Sequence, residues 1–189
     1  MKTRIAINGF GRIGRNAFRA AFERDDIEVV AINDIADSKT LSFLLKHDSI
    51  YGTYSHKVNF DDQNLIVDDK KIKVINQTDP SLLPWNELDI DIVIEATGRL
   101  VDSDQAQLHI NPSGARKVII TAPVKNDNTK TIVIGVNDDE LVSAGDVISN
   151  ASCTTNCIAP IMDILNQKFG VEKAMMTTTH SYTQSQRFT

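Results

Sequence analysis

The chain has 189 residues, 41% of them hydrophobic and 24% charged, with a formal net charge of −5. That is the composition of a globular protein long enough to bury a full core, and its acidic balance excludes a general attraction to nucleic acid or anionic membranes. No apolar run approaches the roughly 18–20 residues of a membrane span, the first residues lack a signal-peptide core, and two cysteines four residues apart fit free thiols in a reducing cytoplasm.

In chain order, Arg4–Asn8 reads as a short strand that runs into Gly9-Phe10-Gly11-Arg12-Ile13-Gly14 and then an amphipathic helical pattern carrying Ala17, Phe18, Ala21 and Phe22. Ile27–Asn33 is a second strand, ending at Asp34, 20 residues past Gly14. Strand, G-x-G-x-x-G, helix, strand and acid together form a dinucleotide-binding fingerprint. Gly9 permits the tight turn, Gly11 lets the backbone approach a pyrophosphate, and Gly14 lets helix and strand pack closely. The helix start offers unpaired N–H groups to phosphate. Asp34 suits a ribose 2′-hydroxyl and repels a 2′-phosphate, which favours NAD over NADP.

A helix is expected over Ser38–Lys46, a loop over His47–Gly52, and short strands at Lys57–Phe60, Leu65–Val67 and Lys71–Ile75. His47 and His56 read as surface residues, and Trp85 as the anchor of a turn. Asp91–Gly98 has the near-continuous apolar character of a strand buried on both faces. Ser103 is placed to cap a helix through His109. Strands follow at Lys117–Thr121, Thr131–Gly135 and Val147–Ser149. Alternating strands and helices predict a doubly wound α/β parallel sheet, with Thr97, Gly98, Thr121 and Ala122 at the carboxyl ends where ligands bind.

The pattern changes at Ser149-Asn150-Ala151-Ser152-Cys153-Thr154-Thr155-Asn156-Cys157. A helix with Ile158, Ile161, Met162, Leu165 and Phe169 on its apolar face begins there, with Ser152 or a neighbour capping it, Pro160 inside and Gly170 at its end. Cys153 in the first turn is a nucleophile candidate, since the dipole and free N–H groups favour thiolate. Lys173–His180 reads as a strand that returns His180 toward Cys153 as general base. Cys157 suits a structural role, and Cys-x-x-x-Cys has no further ligands at metal-binding spacing. The division expected is a dinucleotide-binding domain over 1–150 and the first part of a catalytic domain over 151–189.

Seven stretches carry a family resemblance: INGFGRIGR (7–15), AIND (31–34), LKHDSIYG (45–52), EATG (95–98), VIITAP (118–123), SNASCTTNC (149–157) and MTTTHSYT (176–183). In that order they closely resemble the phosphorylating glyceraldehyde-3-phosphate dehydrogenases. The resemblance implies a Rossmann sheet followed by the first helix and strand of an incomplete α+β catalytic domain. It implies Cys153 as nucleophile and His180 as base, with a thioester intermediate on the way from glyceraldehyde 3-phosphate and inorganic phosphate to 1,3-bisphosphoglycerate. NAD contacts map to Asn8, Gly9, Phe10, Gly11, Arg12, Ile13, Gly14, Asp34, Thr97, Gly98 and Thr121, with Thr78 standing where relatives often carry an adenine-side arginine. Phosphate contacts map to Ser152, Thr154 and Thr183. A cytoplasmic homotetramer is implied for a full-length member. The family continues past the last motif, so the chain as given is expected to lack full activity. The alternatives are an NAD-binding fragment without turnover and a sister enzyme acting on erythrose 4-phosphate. Gln184-Ser185-Gln186 replaces the family's usual Asn-Asp-Gln.

Overall fold

The computed structural model describes residues 1–125 and 129–183; the Gln184–Gln186 departure lies outside them. Strands β1 (Thr3–Asn8), β2 (Ile27–Asn33), β5 (Val58–Phe60), β6 (Asn64–Val67), β7 (Lys70–Ile75), β8 (Ile92–Glu95), β9 (Lys117–Ile120), β10 (Lys130–Thr131) and β11 (Val147–Ser149) form one sheet, in the order β10-β11-β9-β8-β1-β2-β7-β6-β5. From β10 to β7 all pairs are parallel. Helix α1 (Arg12–Phe22) follows β1, α2 (Ser38–Lys46) follows β2, and α3 (Ser103–Ala106) follows β8. The chain steps outward from β1 to β2 and β7, then crosses to β8 and continues the other way. The reversal places a crevice beside the carboxyl end of β1, the usual ligand position in such sheets.

Alternate residues of each central strand feed two cores. Ala6, Ala31 and Val93 join Leu83, Trp85, Ile90 and Val118 on one face. Ile7 and Ile32 join Phe10, Phe18, Leu41 and Leu45 on the other. Burial on both faces is why these strands are apolar without alternation.

Several expectations need correction. The 47–52 segment is no plain loop, because β3 (His47–Asp48) and β4 (Gly52–Thr53) pair antiparallel. The expected short strands β5, β6 and β7 are present and extend the parallel sheet with an antiparallel edge. Asp68 and Asp69 adopt φ of 46° and 67°, the left-handed pair that a two-residue hairpin needs and short acidic side chains tolerate. The cap before α3 is Asp102, whose carboxylate accepts from the Asp104 amide; the helix ends at Ala106 and a 3₁₀ turn carries Gln107–His109. Among the described residues β10 is confined to Lys130 and Thr131: Ile132 N–H still reaches the Ser149 carbonyl at 2.8 Å, but Val133 N–H donates to the Asn137 side chain instead of to a strand. Lys173–His180 forms no strand, having no ladder partner among the described residues. Helix α4 (Cys153–Phe169) runs its 17 residues through Pro160 with none buried, and Ile161, Ile164 and Phe169 are exposed.

His56 clamps the β6–β7 turn to the end of α1. Its Nδ1 lies 2.5 Å from Asp68 Oδ2 and its Nε2 lies 2.6 Å from Glu23 Oε1. These bonds, that to Asp68 first, raise the His56 pKa above its ordinary value of 6.5. Folding therefore favours the imidazolium. Its contribution is complete below about pH 6.5 and is lost as pH rises through the elevated folded value. Thermal melts are expected to show a midpoint that falls over this interval, with a smaller fall in His56→Gln. Equal pH slopes in the two proteins would remove the clamp's role.

Candidate active site

The Gly9–Gly14 turn is shaped by close approach. Gly9 has φ of 89°, and a Cβ there would lie 2.6 Å from the Thr97 backbone nitrogen. A Cβ on Gly14 would lie 2.0 Å from the Gly9 carbonyl oxygen, whereas one on Gly11 would meet nothing within 4 Å. Thus Gly9 and Gly14 serve packing, and Gly11 leaves backbone open to a ligand. Helix α1 begins at Gly11 without a side-chain cap and without an acid in its first turn. Its first N–H groups and positive dipole end are thereby left for an anion.

Asp34 closes the turn from the end of β2. Its Oδ2 accepts from Phe10 N–H at 2.7 Å and its Oδ1 from Ala36 N–H at 3.0 Å. Each carboxylate oxygen keeps a lone pair for a ribose hydroxyl. Phe10 itself is buried in the core, so it offers a ligand only backbone. Ile13 is half exposed beside the turn, and Arg12 reaches Asp48 at 3.3 Å. Thr78 is exposed just past β7, next to Gln77, whose backbone bonds Asn33. Thr97 and Gly98 are exposed at the end of β8. Thr121 follows β9, with its amide and hydroxyl both donating to the Glu95 carbonyl, at 3.0 and 3.1 Å, and Ala122 accepts from the Ser149 hydroxyl. The uncapped helix start, the open backbone at Gly11 and the Asp34 carboxylate fit a dinucleotide.

The nucleophile candidate sits on the same sheet edge. Asn8, Glu95, Ile120 and Ser149 lie opposite one another across β1, β8, β9 and β11, and Cys153 is four residues beyond Ser149. Ala151 makes the turn at φ of 61°, a left-handed conformation that costs an alanine about 1–2 kcal/mol. Ser152 then caps α4, its hydroxyl accepting from Thr155 N–H at 2.9 Å. Cys153 is the first helical residue, exposed, and its Sγ lies 3.1 Å from His180 Nε2. His180 Nδ1 faces the Ser181 carbonyl at 2.5 Å. A carbonyl only accepts, so Nδ1 carries a proton and Nε2 is the nitrogen that exchanges one with sulfur. The His180 hydrogen bond, followed by the Thr154 hydroxyl, holds the Cys153 thiol below its ordinary pKa. The reciprocal bond to sulfur, then that to Ser181, raises His180. Both shifts favour a thiolate–imidazolium pair. Cys157, one turn on and also exposed, has no such partner in the described geometry. Thr183 is exposed three residues past His180.

The profile described as "Glyceraldehyde 3-phosphate dehydrogenase, NAD binding domain" matches residues 3–103, more than half of the chain. The chain belongs to the glyceraldehyde-3-phosphate dehydrogenase family. The profile of the family's C-terminal domain matches residues 152–189. Glyceraldehyde-3-phosphate dehydrogenase of Thermotoga maritima is 54% identical over 186 residues, covering 97% of this chain and 55% of that protein. The Borreliella burgdorferi protein of that name is 53% identical over 97% of this chain and 56% of its own length. That of Geobacillus stearothermophilus is 52% identical over 99% and 56%. The chain thus spans a little over half the length of these relatives. The fingerprint glycines and Asp34 lie within its NAD-binding domain.

Sequence reading passed over Glu95, His109, Asn33 and the polar contact of Trp85. Glu95, His109 and Asn33 are buried polar residues, and Trp85 is fully buried. Their one visible signal is a polar residue closing each of three apolar strands: Asn8, Asn33 and Glu95.

Proposed function

We propose that the chain carries the cofactor site and the thiol–imidazole pair of an NAD-dependent phosphorylating dehydrogenase that converts glyceraldehyde 3-phosphate to 1,3-bisphosphoglycerate. The observation that supports it most is the 3.1 Å Cys153 Sγ–His180 Nε2 contact, on the same sheet edge as the glycine turn. The Cys153 thiolate adds to the aldehyde carbon, forming a C–S bond and leaving charge on oxygen. His180 protonates that oxygen and takes the proton back as the carbonyl re-forms. NAD, when bound, supplies the hydride acceptor that makes this step an oxidation to a thioester. A phosphate oxygen then attacks the thioester carbon, the C–S bond breaks, and Cys153 leaves as thiolate. Ser152, Thr154 and Thr183 are assigned to the phosphate groups; hydroxyls beside a helix start suit anions. With this reading go a cytoplasmic location and a homotetramer.

The test is intact-mass and peptide analysis after incubation with substrate and NAD but no phosphate. An acyl adduct on Cys153, discharged by added phosphate, is the expected result. An adduct on Cys157, or none on Cys153, overturns the assignment.

A further inference from the structure

Beneath the crevice lies a buried polar network whose direction is set at three points. Gln77 N–H donates to Asn33 Oδ1 at 2.9 Å, and Asn33 Nδ2 donates to the Gln77 carbonyl and to Asn8 Oδ1 at 2.8 and 2.7 Å. That orientation leaves Asn8 Nδ2 to donate onward, to Glu95 Oε2 at 2.5 Å. Independently, the Trp85 indole, a donor only, bonds His109 Nδ1 at 3.0 Å. His109 must then carry its proton on Nε2, which lies 3.1 Å from the same Glu95 Oε2. The 3.3 Å approach of Asn8 Nδ2 to His109 Nε2 is two donors meeting at one oxygen. Finally, Thr97 N–H and its hydroxyl both donate to Glu95 Oε1, the amide at 2.8 Å.

Every hydrogen-bond partner of the Glu95 side chain among the described residues is therefore a donor, and only an acceptor-only group satisfies all of them. The carboxylate is 1% exposed and the imidazole fully buried. Strand register places it there: Asn33, Asn8 and Glu95 lie side by side at the carboxyl ends of β2, β1 and β8.

We infer that Glu95 is a positioning residue for the cofactor crevice, tying the Thr97–Gly98 turn to the Asn8–Gly9 turn so that the two lips hold a fixed separation. Gly9 and Thr97 pass so closely that no Cβ fits between them, so a displaced Thr97 turn changes the space offered to the ligand. The inference rests on the reading of this crevice as an NAD site, and it assigns to Glu95, His109 and Trp85 a role without ligand contact.

Glu95→Gln keeps the shape but adds a donor that must confront either Thr97 or the Asn8–His109 pair. Calorimetric titration of the full chain with NAD is expected to show the dissociation constant rising at least tenfold in this variant. Its melt should stay cooperative, while the ¹⁵N-histidine spectrum loses the single Nε2–H tautomer of His109 seen in the parent. A parent that binds NAD and a variant that binds within twofold of it overturn the inference. A parent that does not bind NAD overturns the cofactor reading instead, the His109 tautomer then reporting on the network alone. Should the variant not fold, the unmodified protein decides: bound NAD is expected to slow exchange of both the Thr97 amide and His109 Nε2–H, and binding that changes neither refutes the coupling.

Discussion

Under the proposed function, Cys153→Ser is expected to lower whatever NADH production from the aldehyde the parent chain supports by at least about 10³-fold, as removal of a covalent nucleophile does. A serine hydroxyl beside the same imidazole stays protonated at neutral pH, so the C–O analogue of the thioester does not form at a useful rate. The fold should be unaffected, because Cys153 is exposed and the cap on α4 comes from Ser152. The parent thiol gives a second measurement. Its rate of alkylation by iodoacetamide should follow a titration with a midpoint below the ordinary ~8.5 of a free thiol, because hydrogen bonding from His180 stabilises the thiolate. His180→Ala removes the largest cause and should move the midpoint upward. An unmoved midpoint would mean that the imidazole does not govern the thiol.

Gly14→Ala is expected to destabilise the protein by about 3 kcal/mol and to lower the thermal midpoint by roughly 6–12 °C. The added methyl would stand 2.0 Å from the Gly9 carbonyl oxygen and 3.1 Å from Ile7 Cγ2. Neither the turn nor β1 can yield without moving α1 away from the sheet. Gly11→Ala is the matched control. Nothing lies within 4 Å of its new Cβ, so the midpoint should shift by no more than a surface substitution does, while NAD affinity falls because the methyl occupies the approach to the backbone. Melting curves and NAD titrations of both variants check this separation. Equal melting losses in the two would show that Gly14 is not a contact glycine.

Local rules sufficed for much of the molecule. The run from β1 to Asp34 is legible because each residue type has a local reason: β-branched strands, glycines at a turn, an amphipathic helix and an acid at a strand end. The ends of α2 are legible in the sequence to the residue, the apolar spacing of Leu41 and Leu45 setting its core face, and the structure adds the Asp37 cap at its start. Cys153 at a helix start was likewise visible from the Ser152 cap and the apolar spacing after it.

What depended on tertiary structure was whatever needed a partner distant in sequence. The stretch 173–180 has strand-like composition, yet a strand exists only where a neighbour offers its ladder, and none of the described residues does. Glu95 and His109 read as strand and helix residues until register set Asn33, Asn8 and Glu95 in one row and the Trp85 indole chose the histidine's tautomer. Sequence by itself determined the dinucleotide turn, the acid beyond it and the place of Cys153 at a helix start, because those rest on local backbone conformation. The meeting of Cys153 and His180 across 27 residues is expected from the sequence and is made without the expected strand; only the folded sheet decided that three chains of donors end on one buried carboxylate beneath the crevice.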